Sequence, residues 1–221
     1  MINALVIGAS GGIGQAMVAE MRARGGNVTG LSRRADGFDV TNVDAVDDIL
    51  GALPGPFHTV FVATGILAAS GHTPEKQLSA MDPRAMAEVF SVNTFGTANV
   101  LRHLPRLLPK TGRSVSAVLT ARVGSIGDNK IGGWHSYRAS KAAANMLVHG
   151  AAVELKRTHR DAIAVALHPG TVATPFTADY AAKNKTTPAD ETARLLCDVM
   201  ERLKPEQSGG FYDYSGAEVP W

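Results

Sequence analysis

Short apolar runs alternate with stretches of helical periodicity along the whole chain, and few folds accept that order. Ala4 to Ile7 is such a run. It feeds into Gly8-Ala-Ser-Gly-Gly-Ile-Gly14, after which Ile13, Met17, Val18 and Met21 recur at helical spacing. Further β-rich runs lie at Val28 to Ser32, Thr59 to Ala63, Ser114 to Leu119, Ala162 to Leu167 and Gly210 to Tyr214. Between them, helices are expected at Val43 to Leu50, from Asp82-Pro83 towards Pro109, from Ser136 to about Lys156, and from Pro188 to Leu203. Strands that alternate with helices pair in parallel, so the expected fold is α/β: a doubly wound parallel sheet covered on both faces. No repeat, low-complexity tract or linker divides the sequence, and 221 residues suit one domain spanning 1–221.

Composition narrows the function classes. With 45% apolar residues, 19% charged residues and a net charge of +2, the chain is too hydrophobic for disorder and has no basic excess that would point to nucleic acid. The single cysteine, Cys197, excludes an internal disulfide framework and a cysteine-based zinc cage, and among Leu195, Leu196 and Val199 it reads as a packed thiol. The histidines are scattered without ligand spacing, so no metal is expected. The start, Met-Ile-Asn-Ala-Leu-Val-Ile-Gly, has no basic leader, and no stretch approaches the ~18 apolar residues of a membrane span. The expectation is a cytoplasmic protein that does not engage a membrane.

Two places carry chemistry. Gly8, Gly12 and Gly14 sit at a strand-to-helix turn, where missing Cβ atoms let the backbone turn tightly and approach a pyrophosphate held by the helix N-terminus. The spacing differs from G-x-G-x-x-G and no Gly-Lys-Ser/Thr follows, which disfavours a P-loop. Taken alone, such glycines can be purely architectural. The second place is Tyr137-x-x-x-Lys141, four residues apart and therefore on one face of the expected helix. A neighbouring ammonium favours the phenolate and would move the tyrosine pKa from about 10 towards the working range of an acid–base catalyst. By itself the pair is also an ordinary surface motif.

The order of the signals is more specific than any one of them. Gly8-x-x-x-Gly12-x-Gly14, Thr64-Gly65, Asn93, Ser125, Tyr137-x-x-x-Lys141 and His168-Pro-Gly-Thr-Val-Ala-Thr174 together resemble the short-chain dehydrogenase/reductase family over nearly the whole chain. Within it, the run from Arg122 to Trp134 and the ending Tyr212 to Trp221 look like the small C-factor-like members. The resemblance implies a Rossmann fold and an oxidoreductase that moves hydride between a nicotinamide and a small carbonyl or alcohol substrate. It makes Tyr137 the general acid/base and Lys141 the group that lowers its pKa and holds the nicotinamide ribose. Ser125 would hold the substrate oxygen, and Asn93 would anchor a water in a proton relay. The implied cofactor contacts are Gly8, Ser10, Gly12, Ile13, Gly14, Ala63, Thr64, Gly65, Tyr137, Lys141, Pro169, Gly170, Val172 and Thr174, with Asp39 and Val40 at the adenine. It also implies a homodimer or homotetramer built on the Asp82 and Tyr-Lys helices.

Cofactor choice turns on the end of the second strand, where an acid suits the ribose 2′-OH and a guanidinium suits a 2′-phosphate. Leu31-Ser32-Arg33-Arg34 offers no acid, so NADP(H) is expected, held by Ser32, Arg33 and Arg34, while NAD(H) stays open. The basic residue that many NADP-dependent relatives carry before the second motif glycine is replaced by Gly11. A topological departure follows the same strand. Only residues 33 to 38 separate Ser32 from Asp39-Val40, too few for a parallel crossover of about a dozen. The second crossover helix is therefore expected to be missing, no helix fits at 33–38, Asp39 and Val40 lie on a loop, and the sheet keeps about six regular strands.

Trp134 and His135 are expected to wall the pocket, and Pro175 to Thr187 to form a short lid whose Lys183, Asn184 and Lys185 carry little information. The sequence leaves two rivals: a dinucleotide-binding regulatory or signalling protein with little turnover, and a methyltransferase-like domain binding S-adenosylmethionine.

Overall fold

The computed structural model describes residues 2–178 and 185–221. Six strands run parallel: β1 (Asn3–Ile7), β2 (Asn27–Leu31), β3 (Thr59–Val62), β4 (Ser114–Leu119), β5 (Ala162–His168) and β6 (Phe211–Asp213), in the spatial order β2-β1-β3-β4-β5-β6. The expected Rossmann-type sheet is thus present. Its strand order reverses between β1 and β3, which puts the ligand-binding crevice of such folds beyond the carboxyl ends of those two strands.

Alternation along the strands divides the core in two. On β1, Leu5 and Ile7 face a layer that includes Val46, Leu50, Val100, Leu104 and Val148, from α3 (Val43–Ala52), α5 (Gly96–Leu101), α6 (Leu104–Leu107) and α7 (His135–Leu155). Ala4 and Val6 face the other layer, with Met17 and Met21 of α1 (Gly12–Ala23) and Leu196 and Val199 of α8 (Ala189–Arg202). Strands β4 and β5 are buried almost throughout, as a parallel sheet covered on both faces requires. No helix among the described residues is long and apolar enough to cross a membrane.

Two expectations need correction. Residues 33–38 do accommodate a helix, though only one turn, α2 (Arg33–Asp36), which Ser32 caps and Gly37 ends in the left-handed region. No strand follows it, and Asp39 and Val40 lie on irregular backbone before α3, as anticipated. The helix from Asp82-Pro83 towards Pro109 is not continuous either. It comprises α4 (Pro83–Phe90), a π-helical turn (Ser91–Phe95) and α5, and then breaks before α6. Pro105 explains the break: it lacks an N–H, and its ring would clash with the carbonyl four residues back, that of Leu101, the last residue of α5.

Candidate active site

The glycine turn is built by close approaches that no side chain permits. Gly8 has φ +86°, and a Cβ there would sit 2.9 Å from the Ala63 carbonyl carbon; one on Gly14 would lie 2.1 Å from the Gly8 oxygen, and one on Gly12 would lie 2.6 Å from Thr174 Cγ2. These contacts draw the start of α1 against the ends of β1 and β3 and against the segment after β5. No side chain caps α1, and its first turn carries no acid. A helix start of that kind favours a phosphate.

The turn forms one wall of a cleft of about 290 Å³ at the carboxyl edge of the sheet. Gly12, Ile13, Gly14, Ala63, Thr64, Gly65, Tyr137, Lys141, Pro169, Gly170, Val172 and Thr174 all line it. Three of its polar atoms are buried without a hydrogen-bond partner: Thr64 Oγ1, Thr120 Oγ1 and His168 Nδ1. An uncapped helix start and unfilled polar capacity in one cleft fit a nicotinamide dinucleotide and its substrate.

Tyr137 and Lys141 stand one turn apart on α7, both nearly inaccessible. The Tyr137 ring packs edge-on to Trp134, with centroids 6.2 Å apart, and tilted against Phe176, also at 6.2 Å. Lys141 Nζ lies 5.8 Å from the centre of the Tyr137 ring and donates to the Leu119 carbonyl at 3.0 Å. The expected fall in the tyrosine pKa is not what this geometry gives. Burial pushes the phenol above its ordinary value, and burial likewise pulls Lys141 down to about 8. With the ammonium turned to the Leu119 carbonyl, desolvation of the phenol outweighs its field.

Asn93 occupies the π-helical turn, fully buried. Such turns are rare and frequent at functional sites. Its Oδ1 accepts from the Ile66 N–H at 2.8 Å, and its Nδ2 donates to the Ile66 carbonyl at 2.8 Å and to Ser140 Oγ at 3.0 Å. The side chain therefore staples the loop after β3 to α7. Gly65 sits in the staple: a Cβ there would be 3.2 Å from both Asn93 Oδ1 and Lys141 Nζ.

Ser125 is not brought to the cleft. It is buried, its Oγ donates to the Pro220 carbonyl at 2.5 Å and accepts from the Asp128 N–H at 3.0 Å, and the cleft wall nearby is made instead by Thr120, Ala121 and Val123. Ser10 sits exposed at the tip of the glycine turn, outside the lining. Trp134 walls the cleft as expected, but His135 does not reach it. His168, Phe176 and Thr177 also line it. Burial drives His168 down to about 4, so its ring is neutral near pH 7. Its place beside Pro169 was visible in the sequence; its inward position was not. Lys183 and Asn184 lie outside the described residues, and Lys185 is exposed.

The residues expected at the adenine and its ribose are not among those lining the cleft. Arg33 and Arg34 are exposed. Val40 packs against Gly96, and Asp39 accepts from the Thr41 N–H and hydroxyl, which hold its carboxyl below the usual range. The expectation that no acid stands at the end of β2 fails. Asp36 folds back so that Oδ2 accepts from Ser32 N at 2.7 Å and Ser32 Oγ at 3.0 Å. Four residues of sequence separation hid an acid that one helical turn returns to the strand end.

Among the described residues, no group of three or more His, Cys, Asp or Glu side chains is placed to hold a metal ion. Cys197 is buried, and burial pushes its thiol up to about 12.

Comparison with known proteins bears on this cleft. The family model described as short chain dehydrogenase matches residues 35–185, more than half the chain. The 1-hydroxy-2-glutathionyl-2-methyl-3-butene dehydrogenase of Rhodococcus sp. (strain AD45) is 30% identical over 100% of both chains. C-signal of Myxococcus xanthus is 39% identical over 145 residues, 65% of this chain and 83% of its own. A short-chain dehydrogenase/reductase from Burkholderia multivorans with bound NADP has a TM-score of 0.83 at 25% identity, covering 100% of this chain and 99% of its own. The NADPH-bound carbonyl reductase from chicken fatty liver has a TM-score of 0.85 over 99% and 98% of the two chains; at 22% identity that likeness is one of fold alone.

Proposed function

Because the chain belongs to the short-chain dehydrogenase family, an oxidoreductase family that uses nicotinamide cofactors, we propose that it reduces a small carbonyl compound with NADP(H), and oxidises the alcohol in reverse. The observation that carries this reading is the lining of one cleft by both the glycine turn and the Tyr137–Lys141 pair.

When bound, the nicotinamide supplies or takes the hydride. The chain's own residues do the rest. The uncapped start of α1 takes the pyrophosphate, and Thr64 and Gly65 border the path towards Lys141. Tyr137 enters the reductive direction as a neutral phenol, because burial holds its proton, and gives that proton to the carbonyl oxygen. Lys141 is protonated near neutrality, since its value of about 8 lies above pH 7, and it favours the phenolate left behind. Asn93 keeps its place as the staple between the Ile66 loop and α7, rather than as a water ligand through its amide. With Ser125 committed to Pro220, the substrate oxygen has Tyr137 as its principal donor, and Thr120 and His168 offer the remaining polar capacity of the wall. The Burkholderia multivorans structure that carries NADP supports the phosphorylated cofactor, as do Arg33 and Arg34.

The test is consumption of NADPH by the purified protein against a panel of small aldehydes and ketones. Turnover with at least one carbonyl, at a rate well above that with NADH, is the expected result; binding of NADPH with no turnover across the panel contradicts it. A second reading, a dinucleotide-binding signalling protein with little turnover, draws on the 39% likeness to C-signal and predicts the latter outcome.

A further inference from the structure

The helix that carries Tyr137 is capped from outside its own segment. α7 begins after Gly132, Gly133 and Trp134, three consecutive residues with φ of +69°, +66° and +50°. Trp134 holds the N-cap position and no side chain there caps the helix. Trp cannot replace Ser, Thr, Asp or Asn in that role, so the first N–H groups of α7 need an acceptor from elsewhere.

Glu75 provides it from the loop between β3 and α4. Its main-chain oxygen accepts from the Trp134 N–H at 2.5 Å. One carboxylate oxygen accepts from the Ser136 N–H at 3.2 Å, and the other accepts from the buried Ser136 hydroxyl. The approach is close, since a Cβ on Gly133 would lie 3.4 Å from the Glu75 oxygen. The loop is held at two points ahead of Glu75: the Asn93 staple fixes Ile66, and the Ser70 N–H donates to Glu88 of α4 at 3.0 Å. Glu75 thus presents its carboxylate from a braced platform, at the end of a helix whose dipole favours an anion.

We propose that Glu75 is a positioning residue for Tyr137, fixing the first turn of α7 so that the phenol stays in the cleft between Trp134 and Phe176. The inference rests on the reading of Tyr137 as proton donor. Tyr137 is the third helical residue, directly after Ser136, whereas Lys141 lies one turn deeper. Loss of the cap frays the turn holding the phenol and leaves Lys141 and the glycine turn in place. Proton delivery then suffers while cofactor binding does not.

The experiment compares Glu75→Ala, Glu75→Gln and Ser136→Ala in the full chain. It reads kcat for carbonyl reduction, Kd for NADPH by fluorescence, and amide hydrogen exchange over residues 135–139. For Glu75→Ala, kcat falls at least about tenfold, in line with the cost of sub-ångström to ångström misplacement of a reacting group. The Kd for NADPH stays within about twofold, and exchange accelerates in the first turn of α7 only. Glu75→Gln, which keeps an acceptor oxygen, lies between wild type and Glu75→Ala. Ser136→Ala loses one donor and shifts kcat in the same direction by less; it decides the matter if Glu75→Ala does not fold. A wild-type kcat in Glu75→Ala, or a loss of NADPH affinity in step with kcat, overturns the proposal. Should the wild type reduce no carbonyl, the activity reading falls alone. Exchange then judges Glu75: acceleration confined to 135–139 upholds its positioning role, and unchanged exchange ends it.

Discussion

Burial sets the protonation of the two central side chains, and it acts on them in opposite senses. Tyr137 keeps its proton to higher pH than a free tyrosine, while Lys141 gives its proton up nearer pH 8 than its ordinary 10.5. Between those two values the unfolded chain binds a proton at Lys141 that the folded chain lacks, so this residue makes stability rise with pH across that window. Chemical denaturation of wild type and Lys141→Met from pH 7 to 9, below the range where the buried Cys197 thiol acts in the opposite sense, is expected to show that rise in the wild type and a flatter curve in the variant. Equal slopes would contradict it. Asp36 carries a second prediction. Its carboxylate occupies both donors of Ser32 where a 2′-phosphate would approach, so Asp36→Ala is expected to raise NADPH affinity relative to NADH by about tenfold, the scale of one charge-assisted hydrogen bond. Arg33→Ala is expected to move the ratio the other way, and titration of both cofactors reads it. Spacing alone locates the glycine turn and the Tyr137–Lys141 pair in the sequence, whereas Asn93 stood out only through the family resemblance, and its bonds to Ile66 and Ser140 could not be read there. Asp36, Ser125 and His168 were not, because their roles depend on where a side chain turns: back onto Ser32, towards Pro220, and into the cleft.

At the scale of elements, the segment from Asp82 to Pro109 shows what periodicity can and cannot convey. Its apolar positions and the Asp82-Pro83 start locate a helix, and Asp82 does cap it, accepting from the Arg84 N–H at 2.8 Å. The π-helical turn around Asn93 leaves no mark in an apolar pattern, since it answers to the Ile66 loop rather than to the core. The Arg33–Asp36 turn is similar: too short for a periodic signal, yet long enough to return an acid to the strand end. α7 carries another consequence. Met146 and Val153, seven residues apart and hence on one face, are 68% and 53% exposed, with Gly150 between them, and Phe95 on the π-helical turn is 59% exposed. We propose that this face joins copies of the chain into a homodimer or homotetramer. Light scattering is expected to give a dimer or tetramer mass that Met146→Glu reduces; a monomeric wild type would contradict it.

At the scale of the whole molecule, the sheet does one thing for function. It brings the carboxyl ends of β1, β3, β4 and β5 to a single edge, so that residues as distant in sequence as Gly12, Gly65, Tyr137 and Thr174 border one cleft. That convergence was foreseeable from strand–helix alternation, because in a parallel sheet every strand-to-helix loop leaves at the carboxyl edge. The proposed function requires the phenol in that cleft to be the proton donor to a carbonyl reduced by the bound nicotinamide. Its most direct test is Tyr137→Phe, with NADPH affinity and carbonyl turnover measured side by side on one preparation. The predicted result is NADPH binding within about twofold of wild type and a turnover lower by at least about a hundredfold, the contribution expected of a positioned general acid. Turnover that survives the substitution would contradict it.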